Sequence, residues 1–255
     1  MTAHLDRGHK GAGVMRRIGI MGGMGPEATI LIMQKVLAAV AAQDDADHIP
    51  LIVDQNPQVP SRIRHLIEGT GDDPGPALAD MARRLVAGGA EALAMPCNTA
   101  HHYAPAIRAA VTVPFLDMIA ASVDHAASLA EPGGKIGILA SPAVRKVGLL
   151  DKPLARVGLT ALYATDEAAM LGAIRQLKTG DHAQASIILS KASAELHERG
   201  AVVQMIACTE FSLIPSSVCQ RAIVFDTLDR LVAAILSCSI LHDGNLSAPE
   251  KDSTI

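Results

Sequence analysis

The chain repeats one pattern twice, and that repetition limits the folds open to it. An apolar stretch containing Ile-Gly-Ile occurs at 17–21 and again at 135–140. In each half a second apolar stretch follows, at 92–95 and 202–206, and runs into a cysteine, Cys97 or Cys208, and then a small polar residue. A third, at 113–116 and 223–225, ends at an aspartate, Asp117 or Asp226. Longer Ala- and Leu-rich stretches with good helix formers separate them. Short β-type runs alternating with helices predict parallel sheets covered by helices, an α/β architecture. Similarity at matched positions predicts a duplicated unit of about 100 residues.

In the first half the opening strand breaks at Gly22-Gly23, and Pro26 stands where a helix over 27–42 can start. A strand over 50–54, a helix over 78–87 and a helix over 120–129 complete the reading. After Glu131-Pro132-Gly133-Gly134 the pattern restarts. The expected division is a disordered tail at 1–15 with Met15 as a candidate start, a first α/β domain at 16–117 plus 226–241, a second at 118–225, and a polar tail at 242–255. Hydrophobic residues at 49% against 19% charged exclude a disordered chain. A net charge of -4 and 2% aromatics offer nucleic acid neither a basic field nor stacking surfaces, so no nucleic-acid partner is expected. No apolar run reaches the roughly 18 residues of a membrane span, and the first residues lack a signal-peptide centre. Four cysteines make no disulfide framework, which points to a reducing cytoplasm.

Pro96-Cys97-Asn98-Thr99 and Ala207-Cys208-Thr209-Glu210 carry the chemistry. A cysteine just past a strand end, at the start of a helix, meets unpaired N–H groups and the positive end of a helix dipole. Such a site is expected to pull the thiol pKa below its free value of about 8.5, so that the sulfur abstracts a proton near neutrality. Two thiols placed alike on two related halves suit a reaction in which one face of a carbon loses a proton and the opposite face gains one. Asn98, Thr99 and Thr209 add donors for a carboxylate. Cys219 and Cys238 read as small hydrophobes. Two alternatives stay open at this level. Cys97, His101, His102 and Cys208 are a candidate zinc set, although no C-x-x-C or H-x-x-x-H pair is present. Gly23, Gly25 and Ala28 satisfy a dinucleotide-loop pattern with Asp54 at the next strand end. Asp54 comes later than the usual ~20 residues, and Pro26 removes an N–H that a pyrophosphate would need.

The blocks I-G-I-M-G-G-M-G-P-E-A-T, N-P-Q-V-P-S-R at 56–62, M-P-C-N-T-A-H-H-Y at 95–103 and C-T-E at 208–210 resemble the aspartate/glutamate racemase family, most of all its aspartate racemase branch. The resemblance implies two similar three-layer α/β domains with mainly parallel sheets, pseudo-twofold related, with the active site in the cleft between them. It implies Cys97 and Cys208 as the catalytic thiols, and Met24, Asn98, Thr99 and Thr209 holding the α-carboxylate and amino group. Arg62 and Lys178 are implied to meet the substrate side chain. Glu210 and His101 are candidates for tuning the thiols.

No cofactor and no metal are expected; the implied partners are a small acidic amino acid and a second copy in a homodimer. Ala207 departs from the family's usual glycine and is expected to tighten the turn before Cys208 slightly. The expected activity is interconversion of L- and D-aspartate by thiolate/thiol proton transfer. Glutamate or broader specificity, a nicotinamide-dependent oxidoreductase and a non-catalytic amino-acid-binding protein are the alternatives.

Overall fold

Close packing by the neighbouring strand and the turn leading into it explains the glycine repeated in each Ile-Gly-Ile strand. A Cβ on Gly19 would stand 2.8 Å from Leu93 Cδ2 and 2.9 Å from the Ala90 Cβ, closer than real side chains approach. A Cβ on Gly137 would meet Gln204 Cγ at 2.9 Å and the Ala201 Cβ at 3.1 Å. The same close approach is therefore built twice.

The computed structural model describes residues 15–240. The tails expected at the two ends lie outside these residues, apart from Met15, which makes an antiparallel bridge with Ile240. The first half runs β1 (Ile18–Gly22), α1 (Pro26–Ala39), β2 (Leu51–Gln55), α2 (Pro74–Ala87), β3 (Ala92–Ala94), α3 (Ala104–Ala110), β4 (Phe115–Leu116) and α4 (Met118–Leu129). The second runs β5 (Lys135–Ala140), α5 (Pro142–Lys146), α6 (Asp151–Arg156), β6 (Thr160–Tyr163), α7 (Glu167–Lys178), α8 (His182–Glu198), β7 (Val203–Ala207), β8 (Ile223–Asp226) and α9 (Thr227–Ser239). The sheets have the same strand order, β2-β1-β3-β4 and β6-β5-β7-β8, and their pairings are parallel. Ile18 faces Leu51 and Ala92 across the first sheet, and Ile136 faces Ala161 and Val203 across the second.

Local chemistry moves several boundaries from those read in the sequence. The first helix stops at Ala39 because Val40 adopts extended backbone, φ -99° and ψ 122°. The helix expected from 78 starts at Pro74, where Asp73 accepts the Gly75 N–H at 2.8 Å and Pro74 fits the first turn.

Each sheet is covered on both faces. Leu78, Met81, Leu85 and Ile107 of α2 and α3 pack on one face of the first sheet; Ile32 and Val36 of α1 share the other with Leu228, Leu231 and Ile235 of α9. In the second sheet α7 and α8 bury Ile174, Leu177, Leu189 and Leu196 on one face, while Val123 and Ala126 of α4 and Leu154 of α6 take the other. The last helix of each half thus packs on the other half's sheet, and α4 and α9 also pack against each other. Burying a Leu or Ile contributes about 1.5–3 kcal/mol. The three fully buried side chains of α9 therefore outweigh its half-exposed Lys35–Asp229 ion pair, worth up to about 1 kcal/mol.

Candidate active site

Cys97 lies just beyond β3 and is 7% exposed. The turn holding it is fastened by His101, whose Nδ1–H donates to the Cys97 carbonyl at 2.8 Å. The other ring nitrogen, Nε2, accepts the Met118 N–H at 3.2 Å, joining the cysteine turn to the start of α4. With both nitrogens committed the ring is neutral, and burial lowers its pKa from the ordinary histidine value. His101 positions the Cys97 backbone and has no contact of its own with the sulfur. His102 is exposed.

Cys208 follows β7, is 6% exposed, and donates its S–H to Glu210 Oε2 at 3.1 Å. The other oxygen, Oε1, pairs with Lys178 Nζ at 3.5 Å, at the C-terminal end of α7. Position four after each cysteine does the same job in both lobes: where His101 reaches Met118, Ser212 donates to Asp226 Oδ1 at 2.9 Å. Ala207 completes β7 opposite Ala140 in ordinary strand register.

The expectation of thiols at α-helix starts, with lowered pKa values, is corrected. Cys97 is followed by a 3-10 turn, Thr99–Tyr103, and Cys208 by a shorter one, Phe211–Leu213, before Pro215. Such turns supply few aligned peptide dipoles. Burial raises the Cys97 pKa, and Arg62 pulls it only partly back, with help from the Ala100 N–H and Lys178. Cys208 is raised further, by burial and then by Glu210, and the charge of Cys97 also reaches it.

A chain of hydrogen bonds ties the two cysteine strands together. Asn98 Nδ2 donates to Thr227 Oγ1 at 3.0 Å, and Thr227 donates on to the Ile206 carbonyl of β7, also at 3.0 Å. Asn98 Oδ1 and Thr209 Oγ1 remain buried without a hydrogen-bond partner, one on each side. Buried polar atoms are almost always paired, which sets these two apart from most of the interior. Thr99 is buried beside them in sequence. The Tyr103 hydroxyl is a third unpartnered buried atom, and Asp73, Arg62 and Cys97 all act on it. Burial pushes this phenol up to about 12. Neither Thr227 nor Tyr103 was singled out in the sequence. The matched Asp117-Met118 and Asp226-Thr227 steps were the signal for Thr227, since each places a helix start next to a cysteine turn.

Arg62 is half-buried and donates through Nη1 to the carbonyls of Val59 and Pro60, at 3.2 and 2.9 Å. No acidic side chain among the described residues pairs with it. The Met24 side chain belongs to the buried cluster containing Cys97 and Tyr103, so any hold on a ligand would come from its main chain. Gly23 has φ +92°, and a Cβ there would strike the Asn56 backbone at 2.3 Å. The glycine loop is therefore shaped by the Asn56 loop. Asp54 is engaged elsewhere, paired with Arg84 of α2 at 2.7 Å. Among the described residues no three His, Cys, Asp or Glu side chains form a metal-holding group.

The two lobes share one α/β plan, each with a buried cysteine just past its third strand in chain order. The chain belongs to the Asp/Glu/hydantoin racemase family, which it matches over residues 21–235. It is similar to the broad specificity amino-acid racemase RacX of Bacillus subtilis (strain 168), with 24% identity over 230 residues covering 88% of this chain and 99% of that protein. Among solved structures, Picrophilus torridus aspartate racemase superposes with a TM-score of 0.78 at 24% identity, over 88% of this chain and 94% of that one. An aspartate racemase homologue from Pyrococcus horikoshii OT3 gives 0.66 at 21% identity, over 88% and 99%. These likenesses bear out the α/β fold with two parallel sheets.

Proposed function

We propose that the protein is a cofactor-independent amino-acid racemase acting on aspartate, with Cys97 and Cys208 as the two bases. The carrying observation is the pair of buried thiols at matched strand ends, flanked by unpartnered Asn98 Oδ1 and Thr209 Oγ1. One sulfur, as thiolate, takes the α-proton, and the other, as thiol, delivers one to the opposite face. The carbanion-like intermediate gathers charge on the α-carboxylate, where fixed donors such as Thr209 stabilise it without reorganising. Asn98 Oδ1 accepts from the α-ammonium. Arg62 has guanidinium N–H groups to spare for a second carboxylate, which it can grip through two parallel hydrogen bonds.

Incubation with single L-amino acids followed by chiral chromatography tests this. D-Aspartate should appear fastest, with glutamate next, because one methylene is worth only about 1–3 kcal/mol of discrimination. Arg62→Ala should lose at least about tenfold in efficiency on aspartate, since a buried substrate carboxylate left unpaired costs on the order of 2–5 kcal/mol. A broader specificity is the second reading, favoured by the Lys178–Glu210 pair, which leaves Arg62 alone to select an acidic side chain. Turnover of neutral amino acids alongside aspartate and glutamate would establish that reading, and turnover of neutral amino acids with aspartate and glutamate untouched would remove the first.

A further inference from the structure

We infer that Lys178 and Glu210 form a switch that makes deprotonation of Cys208 depend on the second carboxylate of the substrate. The inference rests on the proposed acidic substrate and adds a function to a contact the ligand-free site already contains. One carboxylate serves two partners: Oε2 takes the Cys208 S–H at 3.1 Å and Oε1 the Lys178 ammonium at 3.5 Å. A carboxylate holding an ammonium is a weak base, so Cys208 keeps its proton. The Glu210 side chain is 13% exposed and the Lys178 side chain 45%, so the lysine is the partner free to move. Arg62 has no acidic partner among the described residues, and its charge, like those of Glu210 and Lys178, is felt at Cys97.

A dicarboxylate gripped by Arg62 therefore competes with Glu210 for the Lys178 ammonium. Once Nζ leaves, Glu210 is free to accept the Cys208 proton along the existing hydrogen bond. The Sγ–H bond breaks and an Oε2–H bond forms, giving a thiolate and a neutral carboxyl with no change in net charge and no further reactant. When the ligand leaves, the ammonium returns and the proton goes back. The charged or titratable groups that interact with Glu210 are Lys178 from α7, Cys208 from the turn after β7 and Cys97 from the turn after β3, and the charge of Arg62 reaches the same Cys97. Gly25 brings only backbone, since its Cβ position lies 4.0 Å from Glu210 Oε1. A monocarboxylate leaves Lys178 on Glu210 and Cys208 as a thiol. Selectivity for acidic substrates then arises in forming the base as well as in binding.

The test reads thiolate absorbance near 240 nm in the Cys97→Ala protein at neutral pH, with Cys208→Ala as the blank for the other thiols. Saturating succinate should raise the thiolate signal, and propionate should not. Lys178→Gln should abolish the response to succinate, and Glu210→Gln should give no added thiolate. Lys178→Gln alone decides the matter if Glu210→Gln does not fold, because Lys178 ends an exposed helix turn. Calorimetry measures succinate binding separately. Succinate that binds without producing thiolate, or propionate that matches it, overturns the switch and leaves the acidic-substrate reading intact. Failure of succinate to bind overturns both.

Discussion

Cys97 and Cys208 occupy matched positions in unequal surroundings, and the inequality suits the opposite protonation states that the proposed mechanism requires of them. Arg62 offsets part of the cost of a charged Cys97, whereas Glu210 holds the proton on Cys208. Alanine at either position is expected to abolish racemisation, while the fold survives the loss of one sulfur. The remaining thiol can still remove and return a proton on its own face. Each variant should therefore exchange solvent deuterium into one enantiomer only, with retention, as read by mass spectrometry after chiral separation. Full racemisation by either variant would rule out the two-thiol mechanism. Much of this site is legible in the sequence because its parts are local: Cys97, Asn98 and Thr99 are consecutive, as are Cys208, Thr209 and Glu210. Thr227 is not legible, because it reaches Asn98 only after the chain has built the second lobe and returned. The thiol pKa directions were misread for a related reason, since burial is a property of the folded surroundings and outweighs what a short turn supplies.

At the scale of elements, α4 and α9 begin alike and are capped differently. Asp117 caps α4 by accepting the Ile119 and Ala120 N–H groups. Burial opposes its charge, but the Ala120 N–H and Arg108 prevail and its pKa is lowered. Asp226 caps α9 through one oxygen, its Oδ2 has no partner, and burial pushes it up to about 6. The unfolded value is about 3.9. Between roughly pH 4 and 6 the folded chain keeps a proton that the unfolded chain releases, so stability falls as pH rises, by about 3 kcal/mol in all. Asp226→Asn keeps the capping oxygen and removes the buried charge. It should raise the melting temperature at pH 8 by about 5–10 °C, at ~2–4 °C per kcal/mol for a chain of this size, and give no gain at pH 4. An equal gain at both pH values would exclude the titration as its source. The caps also show where sequence reading of elements succeeds. Asp, Pro and Gly punctuate helices locally, so the ends of α1, α2 and α4 are readable within a few residues, whereas β6 and most helices of the second lobe were given no bounds. The helices expected after the cysteines were misjudged because Pro105 and Pro215 follow tight 3-10 turns whose geometry is set by His101 and Ser212 reaching across to α4 and β8.

At the scale of the whole molecule, an apolar strip lies open on α1. Ile30, Met33 and Leu37 on the outer side of α1 are 52%, 40% and 56% exposed, and with Ile49 and Leu51 they line a cavity of about 380 Å³. Contiguous apolar surface of this kind marks association sites. A second copy of the chain is the expected occupant, and Leu37→Glu should shift the protein towards monomer in sedimentation analysis without unfolding it. A wild-type protein that sediments as a monomer would show that the strip serves something else. The helix exchange between lobes also bears on how the protein comes into being. During synthesis the first sheet emerges early, yet one face has only α1 to cover it, because α9 follows all of the second lobe. The second sheet has α4 before its first strand is made and so closes first. The lobe that leads in sequence finishes last, and until then Ile18, Ile20, Ala92 and Ala94 present a greasy sheet face that a chaperone can recognise.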